Sequence, residues 1–237
     1  MRVTNVVITC YNNDNKEEDL MAKKELKFLC PNGHLGFAPI KTGSFYRGVA
    51  TNPDFILADS GSDDIGPVPL GADICASPLE WQKHDLEVML VESRKLGVPM
   101  IIGSAGDTGT NSRVDLYVDI IKELAAKHKI PPFKLGYFYS EVDKDYLKQK
   151  IESGKVIKGL DGRSDLTLED IERTDRVVAV AGVHPYIKLL DMGADVIIGG
   201  RSSDCVIFAA PALRAGFPEA LCYYLGKVME CASFCCE

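Results

Sequence analysis

VPMIIGSAGDTGTNSRVDLYVDIIKELAAK, residues 98–127, passes from an unbroken apolar run through a glycine- and hydroxyl-rich junction into a segment of helical periodicity. The run over 98–104 lacks the polar alternation of a half-exposed strand and so reads as a strand covered on both faces. Thr110, Asn111 and Ser112 supply start signals for a helix over 112–129. Within it Val114, Tyr117, Val118, Ile121 and Leu124 form one apolar stripe, and Asp115, Asp119, Lys122 and Glu123 face outward. The same transition recurs along the chain. Strands are predicted over 26–30, 54–58, 98–104, 133–140, 176–182 and 194–200, and helices over 80–96, 112–129, 143–153, 184–192 and, with breaks, 203–236. Such alternation predicts an α/β fold: a mostly parallel sheet with helices on both faces, a Rossmann-like or flavodoxin-like three-layer sandwich.

The expected organisation is a polar amino-terminal extension, 1–25, followed by an α/β domain over 26–237, with a turn-rich excursion and a short capped helix at 154–170. A chain of 237 residues with 46% hydrophobic side chains can bury a full core, so disorder is not expected. With 27 basic and 34 acidic residues the net charge is −7, and no Lys/Arg stripe interrupts that balance. Nucleic acid and anionic membranes are therefore not expected partners, whereas a local pocket for a small anionic metabolite is compatible. No apolar run reaches membrane-spanning length and no signal peptide is evident, so a cytoplasmic location is expected. The eight cysteines form no CxxC pair. They read as reduced thiols rather than a disulfide framework, although Cys231 and Cys235 share a helical face where two thiolates could approach a zinc ion.

Four junctions carry the residue types of a reaction site, each at the carboxyl end of a predicted strand. DFILADSGSDD, 54–64, places Asp59, Ser62, Asp63 and Asp64 together, and crowded carboxylates either raise a proton affinity or recruit a cation such as Mg²⁺. CPNGHLGFAP, 30–39, sets His34 beside Gly33 and Gly36 in a turn that is not a dinucleotide fingerprint. GSAGDTGTNSR, 103–113, offers Ser104, Gly106, Asp107 and Thr108 ahead of a helix start that favours an anion. IIGGRSSD, 197–204, gathers Arg201, Ser202 and Asp204, with Arg201 suited to a carboxylate or phosphate. His34, Asp59 and Asp63 are the candidate catalytic residues. Gly33, Ser62, Ser104, Gly106, Asp107, Thr108, Arg201, Ser202 and Asp204 are the candidate substrate-binding residues.

NGHLGF at 32–37, PDFILADSGSDDIGP at 53–67, SAGDTGTNSRVD at 104–115 and GADVIIGGRSSD at 193–204 together resemble the acyclic terpene utilisation family over about residues 26–237. The resemblance implies a role in breaking down branched carboxylic acids or their CoA esters. It also implies a longer family unit of which this chain is the amino-terminal portion, which agrees with a final helix that lacks a terminator. No residue roles come with it; those above rest on placement. The expected function is that of a catabolic enzyme, a hydro-lyase or related lyase on a carboxylate or acyl-CoA. The alternative is a metabolite-binding or structural subunit, with the carboxy-terminal helix covered by a second copy or a partner chain.

Overall fold

The computed structural model describes residues 6–9, 25–62 and 65–231. Strands β1 (Val6–Thr9), β2 (Phe28–Leu29), β3 (Phe55–Gly61), β4 (Met100–Asp107), β5 (Leu135–Phe138) and β6 (Val196–Gly199) form one sheet in the order β1-β5-β6-β4-β3-β2. The five strands from β2 to β6 run parallel, and β1 closes the far edge antiparallel to β5. The helices are α1 (Thr42–Val49), α2 (Pro67–Ala72), α3 (Leu79–Leu96), α4 (Asn111–Lys127), α5 (Lys144–Glu152), α6 (Leu168–Arg173), α7 (His184–Asp191), α8 (Val206–Arg214) and α9 (Glu219–Met229).

Side-chain alternation along apolar strands explains the three layers. Ile56, Ala58, Met100, Ile102, Val196 and Ile198 face one core with Phe45 of α1, Leu86, Met89 and Leu90 of α3, and Val114 and Ile121 of α4. Phe55, Leu57, Ile101 and Ile197 face the other with Tyr186 and Leu189 of α7, Phe208 of α8 and Cys222 of α9. Each such aliphatic residue contributes about 1.5–3 kcal/mol by leaving water. A charge at Ile197 would therefore break the second layer without touching the first.

The strand order positions the site. From β2 to β4 the sheet grows in one direction; the chain then skips a place to lay down β5 and returns to insert β6 beside β4. Counted over the parallel strands alone the order is 1-2-3-5-4, which differs from both the classic dinucleotide-binding and the flavodoxin orders. The connection leaving β4 enters α4 in the first layer, and that leaving β6 enters α8 in the second. Adjacent strands whose exits diverge open a crevice at their carboxyl ends, the usual ligand position in open parallel sheets.

Three expectations are corrected. The apolar segment 176–182 is not a strand. It crosses the ends of β5 and β6 through single bridges, Glu141 to Val178 and Ala181 to Ser202, with Val180 59% exposed. The sheet position beside β5 that it would have needed is filled by β1, inside the span read as an extension; residues 10–24 of that span lie outside the described residues. Helix α1 was not predicted, because Gly43 and Gly48 lower its propensity. It forms through tertiary contact: a Cβ on Gly48 would lie 2.4 Å from Leu29 Cδ1. The excursion behaves as expected, ending in α6 behind a reciprocal Thr167/Asp170 capping box. No helix among the described residues is long and apolar enough to cross a membrane.

Candidate functional site

The carboxyl end of β4 is unusually contorted. Ser104 (φ 45°), Gly106 (61°), Asp107 (70°) and Gly109 (63°) all adopt left-handed backbone, two of them with side chains that disfavour it. Pairing with β3 jumps correspondingly from Asp59–Gly103 to Gly61–Asp107. Strain of this kind persists only where surrounding contacts enforce it, and it concentrates at functional sites. Here the enforcing contact is with the β6 exit: Arg201 N donates to Gly109 O at 3.0 Å, and a Cβ on Gly109 would lie 2.1 Å from Arg201 N.

One polar cluster lies beyond β3 and β6. Arg201, 5% exposed, donates through Nη1 to Ser104 Oγ (3.2 Å) and through Nη2 to Asp204 Oδ1 (3.3 Å). Tyr186 and Ser202 hydroxyls pair at 2.6 Å beneath it. Asp59 is 3% exposed; its Oδ1 accepts from Ser60 N (2.9 Å) and Gly61 N (3.4 Å). Its Oδ2 has no hydrogen bond of acceptable geometry, although Asp204 is near enough to act on it electrostatically. Burial first, and the Asp204 carboxylate second, push Asp59 well above the usual carboxylate range, against the pull of Arg201.

A second cluster lies on the opposite side of the sheet. His34 Nε2 meets Asp107 Oδ1 at 2.7 Å, both residues being buried. Ser77 donates to Asp107 through its backbone N (2.9 Å to Oδ2) and its hydroxyl (3.0 Å to Oδ1), and Gln82 Nε2 approaches Oδ2 at 3.5 Å. Burial acts to raise Asp107, but the His34 ring and the Ser77 donors outweigh it and hold the carboxyl below its usual range. An ionised Asp107 accepts only, so His34 Nε2 carries the proton that faces it. Asp85 of α3 secures the His34 turn from below. Its Oδ1 accepts from Ile40 N (2.8 Å), and its Oδ2 from Gly36 N (3.1 Å) and Asn32 Nδ2 (3.0 Å).

Gly61 separates the two clusters. A Cβ there would stand 2.6 Å from Asp107 O, 2.4 Å from Ser104 Cβ and 2.8 Å from Arg201 Nη1. The His34 turn is tied to the Asp59 strand as well, since Leu35 N donates to Asp59 O at 2.9 Å. His34, Asp59, Ser104, Asp107, Arg201, Ser202 and Asp204 thus converge on the ends of β3, β4 and β6. Gly33 is buried next to His34, and Ser62 is half-buried after Gly61. Gly106 packs against Arg113, whose Cβ would be 2.9 Å from an added methyl. Thr108 is buried, its hydroxyl 3.4 Å from Thr110 Oγ1. Asp63 and Asp64 lie outside the described residues.

The 103–113 junction uses its polar groups internally. Thr110 and Ser112 hydroxyls both donate to Asp73 Oδ1 at 2.7 Å, and Asn111 N at the start of α4 donates to Glu141 Oε1 at 2.8 Å. Ser77, Gln82, Asp85, Gly61 and Tyr186 were not among the candidates. Gln82 and Asp85 left one signal, since they fall on the same helical stripe as Leu86 and Met89 and a polar residue there must have a buried partner.

Among the described residues no three His, Cys, Asp or Glu side chains converge to hold a metal ion. Arg201 on Asp204 also competes with any cation there. A cleft of about 410 Å³ opens beside Glu141, Lys148 and Arg176, away from both clusters. Two of its cations are already engaged: Lys148 with Glu172 at 3.1 Å, and Arg176 with Gly71 O at 2.5 Å.

The family model described as acyclic terpene utilisation family protein AtuA matches residues 30–237, from the His34 turn through both clusters. The chain belongs to this family. No curated protein and no solved structure matches it. Membership in the acyclic terpene utilisation family suggests a catabolic role, and both clusters fall within the matched span.

Proposed function

We propose that this chain supplies the acid–base site of a hydro-lyase or related lyase acting on a branched carboxylic acid or its CoA ester. The observation that carries the reading is the opposed pair of buried carboxyls flanking Gly61: Asp59 driven up and Asp107 driven down. Environments that push titratable groups apart assign an acid and a base. Elimination of water uses both. His34 Nδ1 takes the proton α to the carbonyl, Asp107 stabilises the resulting imidazolium, and Asp59 gives its proton to the departing β-hydroxyl as the C–O bond breaks and the double bond forms. The Arg201 guanidinium supplies positive potential for the enolate-like charge, and a substrate carboxylate contacts it directly by displacing Asp204 or Ser104. A cytoplasmic setting is part of the same proposal.

A second reading, as a metabolite-binding or structural subunit, is favoured by one observation. On α9, Leu221 (61% exposed), Tyr224 (71%) and Val228 (48%) form an apolar stripe at helical spacing that a second copy or a partner chain would cover. The experiment that separates the two is deuterium exchange. Branched hydroxy acids, enoic acids and their CoA esters are incubated with the protein in D₂O, and α-deuteration is followed by mass spectrometry. The lyase reading predicts exchange in at least one compound, reduced about 10²–10⁴-fold in His34→Ala. Ligand binding with no exchange in any compound transfers the role to the subunit reading.

A further inference from the structure

Between β3 and α3, residues 66–75 run as a strap over the start of α4. Its helix, α2, is six residues long with two prolines and a glycine, and Pro69 is its one buried residue. Val68 is 70% and Ile74 49% exposed, so apolar packing does little to hold the strap down. Gly66, at its near end, has φ 77° and ψ −177°, a backbone that glycine alone adopts readily. Among the described residues nothing lies within 4 Å of a Cβ added there.

The strap is fastened through one carboxylate. Thr110 Oγ1 donates to Asp73 Oδ1 at 2.7 Å, and Ser112 Oγ to Asp73 Oδ2 at 2.6 Å. Arg113 Nε stands 3.5 Å from Oδ1 and Arg176 Nη2 3.8 Å from Oδ2, and Arg176 Nη1 donates to Gly71 O at 2.5 Å. Asp73 itself sits at φ 55° and ψ 48°, left-handed backbone that a side chain adopts at a cost, so these contacts keep a strained residue in place. They also tie three segments together. Thr110, Ser112 and Arg113 open α4 at the β4 exit, and Arg176 begins the segment that crosses the ends of β5 and β6. At its far end the strap leads into Ser77, a buried residue whose N–H and hydroxyl both donate to Asp107.

We propose that residues 66–75 are a latched strap hinged at Gly66: Asp73 fastens it to the β4 exit and to Arg176, and its release draws Ser77 away from Asp107. The device goes beyond the lyase reading and does not depend on it. Charge-assisted bonds to a single acceptor are lost together, so the strap opens as a unit rather than fraying. Once Ser77 leaves, Asp107 keeps His34 but loses two donors that help to hold its carboxyl down. A partly exposed ion-pair cluster is thereby coupled to the state of a buried carboxylate.

The test is amide hydrogen exchange of the full chain, resolved residue by residue by NMR. Ser77 N is bonded to Asp107 and Met100 N to Asp195 O in the sheet, and both residues are buried. In the wild type Ser77 is expected to exchange at least about a hundredfold faster than Met100, because the strap opens without the sheet. Asp73→Asn keeps the size of the side chain and its tolerance of left-handed backbone while removing the charge, and should speed Ser77 about tenfold. Arg176→Gln unfastens the latch from the other side and should speed it by a smaller factor. Ser77 exchanging as slowly as Met100 in the wild type overturns the proposal without any variant having to fold, since the strap then opens only with the whole fold. A fast Ser77 that neither variant accelerates overturns it as well, since Asp73 is then not the latch.

Discussion

Replacing Asp85 by alanine tests how the His34 turn is held. Asp85 takes three hydrogen bonds from that turn, from Ile40 N, Gly36 N and Asn32 Nδ2 at 2.8, 3.1 and 3.0 Å. At about 1 kcal/mol for each donor left without its partner, Asp85→Ala costs about 3 kcal/mol. For a domain of this size that corresponds to a fall of about 6–12 °C in Tm. Asp85→Asn keeps the shape but turns an NH₂ toward at least one donor, so it should fall between the wild type and the alanine variant. Differential scanning calorimetry gives the stability, and amide hydrogen exchange at Gly36 and Ile40 reports the turn itself. Both amides should exchange faster in the variant. The contrary result is a Tm within about 2 °C of wild type with unchanged exchange. It would mean that the buried side chains of Leu35 and Ile40 alone hold the turn.

The remaining predictions concern the two carboxyls and the contorted β4 exit. Because Asp59 binds its proton more tightly folded than unfolded, its contribution to stability is complete below the unfolded carboxyl range and lost as pH rises through the folded value. Asp59→Asn should therefore flatten the decline of Tm from acid toward neutral pH; a steeper decline in urea or thermal melts counts against the burial argument. Asp107 has the opposite sign: its contribution is present above the unfolded carboxyl range and is lost as pH falls through the folded value, so Asp107→Asn should soften acid denaturation. Gly109→Ala combines a left-handed φ with a backbone collision at Arg201 and should cost more than about 2 kcal/mol. Gly154→Ala is the control, since it has φ 83° but nothing within 4 Å, and should cost only about 1 kcal/mol. Equal losses in the two variants would show that φ, not the contact with Arg201, dominates.

Where local periodicity and tertiary packing agree, the fold was legible in the sequence. Helices α3 and α4 carry long apolar stripes and are found within two residues of their expected spans, and β3, β4 and β6 follow from unbroken aliphatic runs. Segment 176–182 has the same composition as those strands. Hydrophobicity reports a tendency to be covered, not which sheet edge is available, and β1 occupies the edge. The strand-end rule gathers the candidate residues His34, Asp59, Asp107 and Arg201 from four distant stretches. That rule is blind to α3 and the loop before it, so it omits Ser77, Gln82 and Asp85. Asp107 shows the limit most clearly: read as a ligand contact, it is surrounded by donors from His34, Ser77 and Gln82. Its partners lie 25 to 73 residues away along the chain, beyond the reach of any local pattern.

Asp59 and Asp107, on either side of Gly61, are shifted in opposite directions, the first above and the second below the ordinary carboxylate range. A ¹³C-carboxyl NMR titration of the full chain measures this directly, with Asp59→Asn and Asp107→Asn identifying the two resonances. Asp59 is expected to titrate well above the ordinary aspartate value of about 3.9 and Asp107 below it. Two midpoints together in the ordinary range would contradict it and remove the basis for assigning an acid and a base.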